Sequence, residues 1–154
     1  MRAQLWLALL FSAGSASSQQ LPLPSDADLK TAYCIPIVQN ELKLLDGEAS
    51  TPGVGPHFDA VRRALRVRND DLARLQSYFL PRVFQMQPMG LLAAQNRANA
   101  DIHELEANMP RCSELCDGKG YSDESVLACY KDCAAELPAV KRMAECRDFN
   151  WLPF

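Results

Sequence analysis

The chain is poor in the residues and spacings that most protein chemistry requires. It has only two histidines, His57 and His103, and they stand far apart. No serine or cysteine lies in a nucleophile context such as G-x-S-x-G. The neighbouring carboxylates Asp70/Asp71 and Glu104/Glu106 are spaced to fall on different faces of a helix, which does not suit acid–base work. There is no C-x-x-C, and strand patterns are nearly absent, which argues against a thioredoxin-like redox protein. There is likewise no C-x-x-C-H for haem and no N-x-[ST] sequon. Beyond the first residues, no apolar run approaches the roughly 20 residues needed to span a bilayer. The expectation is a non-enzymatic protein without a cofactor, a metal-ligand set or a membrane span.

What is present starts at the N-terminus. Arg2, the apolar block from Leu5 to Phe11 and the small residues from Ser12 to Ser18 have the three parts of a secretory leader. Residues 1–18 are therefore read as a signal peptide, and residues 19–154 as one domain. Arg2 is the only charged residue of the leader, so 15 of the 16 Lys+Arg remain against 19 Asp+Glu, a net charge near −4. That mild acidity shows no global preference for nucleic acid. Six cysteines fit an oxidising compartment. The short leader and missing sequon favour a Gram-negative periplasmic protein over a eukaryotic secreted one.

Helical periodicity runs through the rest of the chain. Ser25 and Asp28 form a capping-box pattern ahead of Ile35, Val38, Leu42 and Leu45, predicting a helix to about Leu45, kinked at Pro36 or beginning there. GEASTPGVGP, residues 47–56, reads as a flexible loop. Phe58, Val61, Leu65, Leu72, Leu75 and Phe79 predict a long amphipathic helix stopping at Pro81, with Arg68 interrupting its apolar stripe. That arginine is expected to snorkel past the core edge or to meet a buried carboxylate, for instance from the acidic third helix. Pro88 opens a further helix with Leu91, Ala94, Ala98, Ile102, Leu105 and Met109 on one side, ended or kinked by Pro110. A turn through DGKGYSDES leads to a last helix, disturbed at Pro138 and reaching Cys146.

Cys112, Cys116, Cys129 and Cys133 stand as C-x3-C, twelve residues, C-x3-C. Positions i and i+4 share a helix face, so two antiparallel helices would form a ladder, Cys112 with Cys133 and Cys116 with Cys129. Six cysteines allow fifteen connectivities, and elimination leaves Cys34 with Cys146. Structural zinc usually uses C-x2-C knuckles, so disulfides are the preferred reading. The segment resembles the twin C-x3-C helical hairpin shared by plant α-hairpinins, some scorpion toxins and the small translocase chaperones of the mitochondrial intermembrane space. The resemblance covers residues 112–133 and implies the same disulfide ladder, without carrying over an activity.

Three other features bear on function. Arg62, Arg63, Arg66 and Arg74 fall within about 120° on a helical wheel, opposite the apolar stripe. Asp59/Arg63, Arg66/Asp70 and Asp70/Arg74 are i,i+4 pairs, so this reads as a solvated, charge-laced face rather than an anion-binding one. Met86-x-x-Met89 has a spacing that copper-handling proteins use, but a proline between the two favours plain apolar filling. The tail RDFNWLPF is read as packing back over the bundle, with an exposed docking peptide as the alternative.

The expected architecture is all-α: one antiparallel bundle of four to five helices stapled by three disulfides. The expected role is a protein-interaction module, with Lys119 at the hairpin tip and Trp151, Leu152 and Phe154 in the tail as candidate contacts. A small-ligand or metal carrier and an inhibitor or toxin-like hairpin are the competing readings.

Overall fold

The structure is a computed structural model that describes residues 20–50, 55–117 and 123–152. The leader, the hairpin tip Gly118–Gly120 with Lys119, and Phe154 lie outside the described residues. The described residues form five α-helices and a short 3₁₀ turn, with no strand. The helices are α1 (Asp26–Ala49), α2 (Pro56–Val83), α3 (Pro88–Asp117), α4 (Asp123–Ala135) and α5 (Pro138–Met143), and the 3₁₀ turn is Ala144–Cys146.

Helix α1 begins at a complete capping box. The Ser25 hydroxyl accepts the Asp28 N–H, and the Asp28 carboxylate accepts the Ser25 N–H at 2.9 Å. The helix passes through Pro36 and reaches Ala49, so residues 47–49 of the segment expected as a loop are helical, while residues 51–54 lie outside the described ones. Gly55 then leads into α2 with φ 123°, a left-handed backbone open to glycine, and Pro56 supplies the first helical residue.

Pro81, expected as a stop, lies inside its helix, and Pro110 does not end its own. Helix α2 continues through Pro81 to Val83, and α3 through Pro110 to Asp117. Pro81 is exposed, so water can satisfy the carbonyl that loses its N–H partner, and the Gln85 side-chain amide donates to the Pro81 carbonyl at 2.9 Å. Pro138, by contrast, follows a real break at Glu136–Leu137 and starts α5.

Helix α1 is central. It packs along both α2 and α3, while α3 also carries α4 and α5; among the described residues α2 has no extensive helix partner but α1. The main core joins Ile37 and Val38 of α1, Leu75 of α2, Ala98 and Ile102 of α3 and Met143 of α5 with Phe149 and Leu152 of the tail. A second cluster of Ala32, Phe79, Met86 and Leu91 fills the end near the α2–α3 turn. There the extended residues before α1 are pinned: the Gln87 N–H donates to the Pro22 carbonyl at 2.9 Å and the Gln87 side chain to the Leu21 carbonyl at 2.8 Å. Gly90 permits the close approach, since a Cβ there would lie 3.1 Å from Pro24 Cγ.

Three disulfides staple this frame, Cys34–Cys146, Cys112–Cys133 and Cys116–Cys129. Two nested bridges four residues apart on each helix require α3 and α4 to run antiparallel, giving the two-rung ladder. The third ties α1 to the end of the 3₁₀ turn. No described helix is long and apolar enough to cross a membrane.

Candidate functional site

The hairpin forms a sizeable recess. Asn108, Arg111, Cys112 and Leu115 on α3 face Cys133 on α4 and Glu136 and Leu137 in the α4–α5 break across a recess of about 410 Å³. The recess exists because residues 136–137 leave the helical path after the outer disulfide has clamped α4 to α3. Its floor carries the Cys112–Cys133 bridge and Leu137, Leu115 stands 47% exposed at its edge, and Arg111 and Glu136 put opposite charges on its border. Such a surface suits an apolar side chain flanked by polar groups. The volume also lies within the roughly 300–1,000 Å³ of small-molecule pockets.

The buried polar groups elsewhere serve the frame. Asp101, almost fully buried, receives a two-pronged hydrogen bond from Arg142 (2.6 and 2.9 Å) and the Tyr33 hydroxyl at 2.7 Å. The Arg142 bonds, reinforced by Tyr33, hold the Asp101 carboxyl below the usual range against the effect of burial. Burial and the Asp101 hydrogen bond together raise Tyr33 well above an ordinary tyrosine. Glu104 completes this cluster, accepting from Arg142 and from the Ala139 N–H at the start of α5.

A second centre links α1 to α2. Burial alone would raise the Asp28 carboxyl, but hydrogen bonds from Arg82 and Ser25 overcome it and hold the group well below the usual carboxylate range. A third surrounds Arg68, which meets Glu41 at 2.8 Å, Asp71 at 2.9 Å and the Cys146 carbonyl at 3.3 Å. Arg68 thus finds its carboxylate partners on α1 and on its own helix, not on α3. Burial raises Glu41, with Arg68 opposing it.

The other expected features fall as follows. Leu152 is buried and Phe149 lies in the core, so the tail packs back onto the bundle. Trp151 is half-buried, Lys30 sits over its ring at 5.9 Å, and its buried indole N–H has no acceptor among the described residues. Of the four proposed contact residues, Leu152 is therefore closed off, Trp151 presents part of one ring, and Lys119 and Phe154 lie outside the described residues. Met86 is buried and Met89 is 75% exposed, so the two sulfurs do not share a surface. His57 pairs with Glu48, and His103 with Glu106, both on the surface. No group of three or more His, Cys, Asp or Glu side chains among the described residues is placed to hold a metal ion.

The arginine face differs from its expected form. None of the three i,i+4 pairs closes; Asp59 instead meets Arg62 at 3.1 Å, an i,i+3 contact. Exposed pairs contribute only tenths of a kcal/mol, about 0.2–0.5, so solvation competes with them on equal terms.

The Asp101 centre and the recess both escape simple stripe reading. Asp101 had a signal, since it sits three residues after Ala98 and four before Leu105, on the apolar steps of α3. No family model matches the chain, and neither a curated protein nor a solved structure matches it.

Proposed function

We propose that the protein is an exported, non-enzymatic interaction module that binds a protein partner through the recess beside the outer disulfide rung. The observation that carries this reading is the shape and chemistry of that recess: an apolar floor, an exposed Leu115, and Arg111 and Glu136 on its border. Two disulfides hold its walls, so binding sacrifices little conformational entropy. Export is supported by three bridges of a kind rare in reducing compartments and by the leader-like first eighteen residues. The partner it fits presents an apolar side chain beside a cation and an anion.

A photo-crosslinking amino acid at Leu115, in cells exporting the protein, tests this. One discrete protein adduct is expected, lost when Leu137→Glu is added. No adduct, or one indifferent to that change, would sink the reading. The same recess favours a second reading, a small apolar ligand. A rise in melting temperature with such a ligand, blocked by Leu137→Glu, together with no protein adduct, would select it.

A further inference from the structure

The outward face of α2 contains a feature the hairpin does not use. Arg63, Arg66 and Arg74 are exposed and form no ion pair among the described residues, and Arg62 is half-exposed beside Asp59. Asp59 and Asp70 are the carboxylates on this face against the four arginines, so positive charge prevails there. This is notable on a chain whose mature charge is near −4, and it arises because, among the described residues, α1 is the one helix that α2 packs along extensively, leaving its far side open.

The same face turns apolar towards its C-terminal end. Leu80 and Phe84 follow Arg62 and Arg66 by eighteen positions, about five helical turns at roughly 3.6 residues each, so they lie along the same lines. Leu80 is 59% exposed and Phe84 87%, and beyond the turn Met89 is 75% exposed. Leu23 joins them at 76%, held at this end by the Gln87 bonds to residues 21 and 22. Large apolar side chains this exposed at one end are costly in water and mark a contact surface.

We propose that this face docks on an anionic phospholipid bilayer, with the arginines on headgroup phosphates and Phe84, Leu80 and Met89 entering the acyl boundary. A soluble polyanion would satisfy the arginines but leave the apolar end without a role, and an apolar protein groove would do the reverse. A bilayer surface offers anionic charge and an apolar interior within one plane. The proposal is independent of the recess, which is built by α3, α4 and the break after α4.

Flotation of the oxidised, exported protein with vesicles tests it. The protein should float with mixed phosphatidylglycerol–phosphatidylcholine vesicles, stay behind with phosphatidylcholine alone, and detach as salt rises. R63Q/R66Q/R74Q should weaken partition about 100-fold, roughly fivefold per arginine. Phe84→Ser should weaken it about tenfold, and all four positions are on the surface, so helicity should be unchanged. No partition into anionic vesicles would overturn the proposal, as would equal partition into neutral ones or full binding by the triple variant. A lipid-free dimer dissolved by Phe84→Ser would assign the apolar end to a second copy instead. Binding to inorganic polyphosphate as tight as to vesicles, and indifferent to Phe84→Ser, would reduce it to a simple anion site.

Discussion

Asp101 and Asp28 show how a single carboxylate can be held by the fold and hold it in turn. Asp101 is nearly inaccessible while Arg142 is about one-third exposed, so removing the carboxylate leaves a cation only partly able to recover water. Asp101→Asn should cost about 2–3 kcal/mol, below the full penalty of a broken buried pair, and Tyr33→Phe about 1 kcal/mol, both read from urea unfolding. Acidity follows from the same contacts. The folded Asp28 and Asp101 bind protons less readily than the unfolded chain, so their stabilisation is complete above the ordinary carboxylate pKa of about 4 and fades as pH falls below it. Tyr33 acts at the other end: its folded form keeps its proton, so stability declines once pH rises past about 10. Glu41, raised by burial, opposes the aspartates by disfavouring the fold slightly when ionised. Thermal melts across pH should show a plateau at neutrality with losses on both flanks; a stability maximum below pH 4 would contradict this.

At the level of elements, covalent closure and proline placement decide how firmly helices stay together. Cys34–Cys146 spans 112 positions and Cys116–Cys129 only 13. In the chain-entropy picture the long bridge contributes about 4–5 kcal/mol and the short one about 3 kcal/mol. Paired serine variants of each, compared by denaturant midpoint, should rank in that order. Pro81→Ala should stabilise α2 by about 1–3 kcal/mol, because it restores a helical N–H at an exposed interior position. A loss of stability there would mean that a bend at Pro81 is needed to seat the second core cluster. The proline outcomes also show why boundaries were hard to read. Pro36, Pro81 and Pro110 resemble boundaries or kinks in sequence, yet each lies inside a helix that continues past it.

Across the whole molecule, the tail is a structural member. Phe149 and Leu152 close the core beside Cys146, and Phe149 meets Trp151 edge-on at 6.0 Å between ring centres. Phe149→Ala should therefore cost about 3–4 kcal/mol, visible as a lowered urea midpoint. Deleting the tail would take Phe149 and Leu152 out of the core, so any binding lost with it would report on folding as well as on surface. The two surfaces proposed for binding, the recess of α3, α4 and residues 136–137 and the far side of α2, lie on different helices and are open to separate tests.

Helical class, the amphipathic faces, the capping box and the disulfide framework were legible in the sequence. They depend on neighbours a turn apart or on the covalent reach of cysteines, both of which local spacing encodes. The Asp101–Arg142–Tyr33 cluster joins residues 68 and 41 positions apart, and nothing local marks which arginine meets which acid. The recess likewise needs a break after α4 placed against a clamped α3, and the open arginine row needs the far side of α2 to be left uncovered. Only the packing of whole helices decides those three, because each is a relation between surfaces that the chain brings together after the helices have formed.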